Sequence, residues 1–292
     1  MSTTDADQVL VDAINRESGE SLVMTGRAAE GTSGGAIFVD LADGQPGIVT
    51  HFLGSYAHAV QTAGILDHAR SQGLPVPRHH RVILVGPEIL VIQERIPGEP
   101  PTKITTTVLD AVVEVNERFA RILADRHDVP TLPLCLTDSG HPYPRHEVLA
   151  EHSSRSRRIL HAINGIGQNH PGDVVADDLL HVDLDLSNVL FDHDGEITGV
   201  VDWNLGAYRG DRHLALVKTR FEQEWALHDP APDPGLIAAA KHLDELLTQR
   251  VPPADLRRYW ASRLLYQLHW ILQSGPLDVV DWHLSVAEAR LL

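Results

Sequence analysis

Lysine is nearly missing from this chain. Of 24 basic residues only Lys103, Lys218 and Lys241 are lysines, and the first 102 residues contain none. A glycine-rich phosphate loop ending in Gly-Lys-Ser/Thr is therefore excluded from the N-terminal third, because its lysine carries the phosphate charge. Cysteine is scarcer still. Cys135 stands alone, so neither an intramolecular disulfide nor a cysteine-pair zinc site can form, which suits a reducing cytoplasm. No apolar run approaches the roughly 20 residues that a membrane helix needs. The opening "MSTTDADQVLVDAINRESGE" lacks the basic stretch and apolar core of a signal peptide. A soluble cytoplasmic protein with no membrane partner is the expectation. Positive charge is short overall, 24 basic against 40 acidic residues and a formal net charge of −16. Such a surface repels phosphate backbones, so no nucleic-acid partner is expected. It draws cationic small molecules, although acidity also serves solubility alone.

What is present is ordinary globular material, 43% hydrophobic and 22% charged, over 292 residues, a length that favours two lobes. "DADQVLVDAINRE" reads as an amphipathic helix. "SLVMTGRAAE", "GGAIFVDL" and "GIVTHFL" follow as short β-prone runs bounded by glycine or Asp-Gly. "YAHAVQTAGILDHARSQ" has helical spacing and stops at Gly73. "HRVILVG" and "EILVIQERI" are two further strands split by Gly86-Pro87. The Pro-rich "PGEPP" then breaks the pattern, and helices are predicted at 104–125, 146–168, 212–228, 235–249 and 253–273. The predicted fold is α+β and bilobal: a β-rich lobe over 1–96, a connector over 97–103 and a large helical lobe over 104–292. A ligand cleft belongs between such lobes.

Amid the helical part lies "HVDLDLSNVLFDHDGEITGVVDW", residues 181–203, with six carboxylates. Its apolar runs "NVLF" and "ITGVV" predict a hairpin turning at "HDG", with Asp192, Asp194 and Glu196 as turn residues. A hairpin sets Asn188, at the start of one strand, beside Asp202, at the end of the other. An amide oxygen and a carboxylate are hard ligands suited to Mg2+. Asp183 lies just upstream, placed to accept a proton from a hydroxyl. His-x-Asp-x-Asp at 181–185 also allows a metal-dependent hydrolase, and that alternative stays open on spacing alone.

These residues resemble the H-G-D-x-x-x-x-N-V-L … G-V-I-D-[FW] signature of the aminoglycoside phosphotransferase and choline kinase-like families, whose fold is that of the protein kinases. "GAYRGDRHLAL", "SQGLPVPR" and "VIQERIPGEPP" are similar to further family elements, so the likeness runs from about residue 20 to 220. The resemblance implies a Mg2+-dependent transfer of the γ-phosphate of ATP or GTP to a hydroxyl of a small molecule, such as an antibiotic or related natural product. It implies Asp183 as catalytic base with His181 supporting its loop, and Asn188 and Asp202 as metal ligands. The glycine-rich "EGTSGGAIFV", with Gly34 and Gly35, would cover the phosphates. Gln93, Glu94, Arg95 and Ile96 would receive the nucleotide base through their backbone. Asp185, where the family often has histidine, is a candidate for substrate contact. Asp211 in "RGDRH" would brace the loop, but its usual aspartate partner is replaced by His213 and Leu214.

One departure is large. The strand that should carry a phosphate-gripping lysine reads "IVTH", with Thr50 at the lysine position and His51 beside it. The helix glutamate that would pair with it falls at Gln61 or Thr62. Losing both charges together is consistent, since either alone would be poorly compensated. Arg27 or His51 could stand in as the cation, or the metal could serve alone. A kinase-like binding protein without catalysis is the remaining alternative.

Overall fold

The computed structural model describes residues 3–28, 35–170 and 176–292. By internal contacts the chain forms two compact units, Met1–Thr102 with His181–Ala207, and Lys103–Leu180 with Tyr208–Leu292.

The first unit is built on a five-stranded antiparallel sheet: β1 (Val23–Arg27), β2 (Ile37–Asp40), β3 (Pro46–His51), β4 (His79–Val85) and β5 (Glu88–Glu94), in the order β1-β2-β3-β5-β4. Period-two alternation gives the sheet two apolar faces. One packs on helix α1 (Thr3–Ser18) through Val11, Ile14, Val39, Val49, Leu90 and Ile92. The Asn15 side chain bonds both the N–H and the C=O of Leu22, at 2.8 Å each, and so leads the chain from α1 toward β1. The other face meets α2 (Tyr56–Ser71) through Val91, Ala59 and Phe52. Ser55 caps α2 by accepting from the His58 N–H, and Gly73, at φ +81°, follows its end.

Residues 181–207 belong to this same unit. After a 3-10 turn (Leu186–Asn188), β7 (Val189–Phe191) pairs antiparallel with β8 (Ile197–Val200), as the apolar runs predict. Asp192 accepts at one oxygen from the N–H groups of Asp194 and Glu196, both at 2.9 Å, so these acids do shape the turn. The hairpin is fastened to its unit. Val200 N–H donates to Pro75 O at 2.7 Å, and Glu99 exchanges backbone bonds with Phe191 at 3.0 and 2.9 Å. The proline-rich connector is therefore pinned along β7. Gly98, at φ +127°, is required there, because a Cβ would lie 2.9 Å from the Phe191 carbonyl.

The second unit is helical: α3 (Thr106–Glu117), α4 (His146–His152), α5 (Ser154–Asn169), α6 (His213–Leu227), α7 (Pro234–Arg250), α8 (Pro253–Ser274) and α9 (Leu277–Leu291). Strands β6 (Asp178–His181) and β9 (Ala207–Gly210) pair with each other. The helix expected over 104–125 ends at Glu117. Arg121 takes a left-handed φ of 57° and donates its N–H to Asp178 at 2.9 Å, which a continuing helix forbids. The helix expected over 146–168 divides at Ser153, whose extended backbone makes it the cap of α5 in a capping box with Ser156. Among the described residues no helix is long and apolar enough to cross a membrane.

Candidate active site

His181 ends β6 buried, with its Nε2–H donating to Val201 O at 2.9 Å. That carbonyl fixes the tautomer. Nδ1 is then free to accept from the Asp183 N–H at 3.2 Å, and the ring stands edge-on to Trp203 at 4.3 Å. Trp203 is itself buried and donates Nε1–H to Val200 O at 2.9 Å. His181 thus supports the loop, tying its start to the end of the hairpin.

The Asp183 carbonyl is held by two donors, the Asp185 N–H at 2.7 Å and Asn188 Nδ2 at 2.9 Å. With its nitrogen donating there, Asn188 has Oδ1 as its remaining acceptor. Its backbone carbonyl accepts from the Val201 N–H at 2.8 Å, so Asn188 and the residue preceding Asp202 are directly bonded. Asp185 accepts from the Ser187 N–H at 2.8 Å, which makes it the cap of the 3-10 turn.

Asp202 has a φ of +62°, a conformation most residues avoid and aspartate tolerates. Burial first, and then the neighbouring Asp183 charge, push its carboxyl up to about 6, against a weaker opposing bond from the Asn204 backbone. An amide oxygen and two acids, one of them so perturbed, are hard donors. The donor set fits Mg2+.

The lysine and glutamate positions hold neutral hydrogen bonds. Thr50 lies opposite Val91, and so faces α2; it is buried and accepts from Gln93 Nε2 at 3.1 Å. Opposite Gln93 is buried His79, held down to about 4 chiefly by burial and hence neutral. On α2, Thr62 is fully buried and accepts from the Ala207 N–H at 3.1 Å.

The two substitute cations are elsewhere. His51 lies opposite Leu90, on the α1 face of β3, with Nε2 3.5 Å from Glu88. Arg27 forks onto buried Asp7 of α1 at 2.5 and 2.6 Å. Gly35, at φ +74°, lies against that guanidinium, and an added Cβ would come 3.1 Å from Nη2. The structure does not bring Arg27 or His51 to the face that holds Thr50. Gly34 lies outside the described residues.

At the end of β5, the Glu94 side chain is taken up by Arg70 at 2.7 Å and the Arg78 N–H at 3.2 Å. Arg95 lies 3.8 Å over the Phe38 ring. The Ile96 side chain presses on Gly199, where a Cβ would approach within 2.8 Å. Its backbone N–H finds no acceptor among the described residues.

In the second unit the missing aspartate partner of Asp211 is replaced by three donors from two residues. His213 gives its N–H at 2.9 Å and Nδ1–H at 2.7 Å, and Tyr259 its hydroxyl at 2.7 Å. Burial works to raise the Asp211 pKa, but these bonds together hold it below the usual carboxylate range. Sequence reading missed Tyr259, 48 positions away, and also His58, whose Nε2 lies 3.4 Å from Ala207 O. Neither residue carries a local signal.

The family model described as "Phosphotransferase enzyme family" matches residues 27–219, more than half of the chain. The chain belongs to that family. As a member it is a small-molecule phosphotransferase acting on hydroxyl groups. No curated protein matches the sequence. Solved structures give the fold, which is protein-kinase-like. A thermostable mutant of aminoglycoside phosphotransferase APH(4)-Ia, in ternary complex with AMP-PNP and hygromycin B, is 19% identical. That match covers 96% of this chain and 97% of the other at a TM-score of 0.71. Aminoglycoside-3'-phosphotransferase of type VIII is 22% identical, with coverage of 89% and 98% and a TM-score of 0.58. Amicoumacin kinase hAmiN, in complex with AMP-PNP, Ca2+ and Ami, is 14% identical, with coverage of 98% and 94% and a TM-score of 0.62.

Proposed function

We propose that this phosphotransferase moves the γ-phosphoryl group of ATP or GTP, with Mg2+, to a hydroxyl of an antibiotic or related natural product. The observation that carries the reading is the bonded set Asp183–Asn188–Val201, with Asp202 next in the chain and its carboxyl raised toward neutrality. Solved structures of similar fold with AMP-PNP beside hygromycin B or Ami support the class of donor and acceptor.

Asp183 orients the acceptor hydroxyl and takes its proton as the oxygen attacks phosphorus. The bond to the bridging oxygen breaks, and the nucleoside diphosphate leaves. Asn188 Oδ1 and the Asp202 carboxylate would hold the metal, which when bound neutralises charge on the transferring phosphoryl group. His181 keeps the Asp183 backbone in place. The free backbone N–H of Ile96 receives an acceptor nitrogen of the base. Asp185 serves the loop as a cap and comes second as a substrate contact.

The test is a library of hydroxylated natural products incubated with protein, ATP and Mg2+ and read by mass spectrometry. One class should gain a phosphoryl group, and Asp183→Asn should slow that transfer by on the order of 10²–10⁴. Transfer at the wild-type rate by this variant would refute the assignment of the base.

A further inference from the structure

In kinase-like folds an ion pair commonly links the lysine strand to the first helix; here both charges are replaced, yet α2 still reaches the Asp202 loop. Contacts from α2 and from the residues just before it join them. Thr62 accepts from the Ala207 N–H at 3.1 Å in a fully buried position. One turn earlier on α2, the His58 ring lies against Gly206, where a Cβ would come 2.2 Å from its Cε1. Gly206 also has φ +90°, so both its backbone and its contact demand glycine. Just ahead of the helix, Leu53 N–H donates to Asn204 O at 2.8 Å, and Phe52 holds the His58 ring edge-on at 5.6 Å.

These contacts fall on residues 204, 206 and 207, immediately after the left-handed Asp202. Aspartate tolerates that conformation, and the contacts that follow it determine where the loop is held. We infer that Thr62 and His58 are positioning residues: an uncharged latch from α2 that sets the Asp202 loop in its metal-holding conformation, in place of the ion pair. The inference rests on the proposed role of Asp202. A hydroxyl and a ring have geometric demands that a flexible lysine–glutamate pair lacks. They set the position of the loop without adding charge near the phosphates.

Thr62→Val keeps the shape and removes the acceptor, leaving the Ala207 N–H buried and unpaired. In the protein alone, amide hydrogen exchange over 203–207 should quicken by about tenfold or more, the scale of one lost buried hydrogen bond. Thr62→Ser should restore the wild-type rate. The Mg2+-dependent part of nucleotide affinity should fall by about tenfold in Thr62→Val, with metal-free affinity unchanged. His58→Phe keeps a ring of similar size and tests the other half of the latch, should Thr62→Val fold poorly. Exchange unchanged in both variants would overturn the latch while leaving the proposed reaction standing. Faster exchange with an unchanged Mg2+ effect would overturn its positioning role. A wild type that binds no nucleotide in abundant Mg2+ would defeat the phosphotransfer reading and the latch's purpose with it.

Discussion

Asp202 is costly to the empty protein. Its carboxyl is pushed up to about 6 by burial and by Asp183, so at neutral pH it is an ionised group that the fold would rather protonate. The sign follows directly. Below about pH 4 the group is protonated both folded and unfolded, and its favourable folded environment is fully realised. As pH rises through 6 that stability is lost. Asp202→Asn should therefore stabilise the metal-free protein at pH 8 by about 1–2 kcal/mol, after discounting for solvent screening. The gain should vanish near pH 4. Added Mg2+ with nucleotide should raise the melting temperature of wild type and not of the variant. Thermal melts at the two pH values, with and without ligand, check both halves. A variant less stable than wild type at pH 8 would mean Asp202 is a structural partner rather than a poised ligand. His181, by contrast, is legible as support only through the family resemblance, because the bond of its ring to Val201 O spans 20 positions.

Strands and helices were largely legible, because β1 to β5 and α2 are short runs with clear periodicity and glycine punctuation. The acidic hairpin was legible for the same reason, and its register brings Asn188 toward Asp202 without any long-range information. Legibility failed where a partner lies far along the chain. Nothing local ends α3 at Glu117; the Arg121 N–H turns out to meet Asp178, 57 positions on. Nothing local says that Thr62 caps Ala207, 145 positions on, so the position was legible only as a glutamate that is missing. Arg27 illustrates the limit most sharply. Its charge was visible, but its commitment to Asp7 depends on which sheet face meets α1. The wall around Thr50 carries a prediction of its own. Thr50→Lys would place a cation beside neutral Gln93 and His79 with no glutamate on α2. It should destabilise the protein by about 2–4 kcal/mol rather than restore a phosphate grip. Urea unfolding gives the cost, and equal stability would mean that the wall readily accommodates charge.

At the scale of the whole molecule the chain is a phosphotransferase whose N-terminal 102 residues hold no lysine and whose net charge is −16. A polyanionic nucleotide meets an acidic protein, and of the two candidate substitutes for the lysine, Arg27 is tied to Asp7 and His51 is set beside Glu88. On the proposed function the phosphates would be answered by a metal on Asn188 and Asp202 and by backbone N–H groups. The most direct test is calorimetric titration of ATP into the wild-type protein, with Mg2+ in excess and again with EDTA. The expected result is clear binding with Mg2+ and an affinity at least about a hundredfold weaker without it, since roughly 3 kcal/mol of phosphate attraction is lost. Equal affinity in EDTA would contradict the account, because some side chain would then be gripping the phosphates unaided.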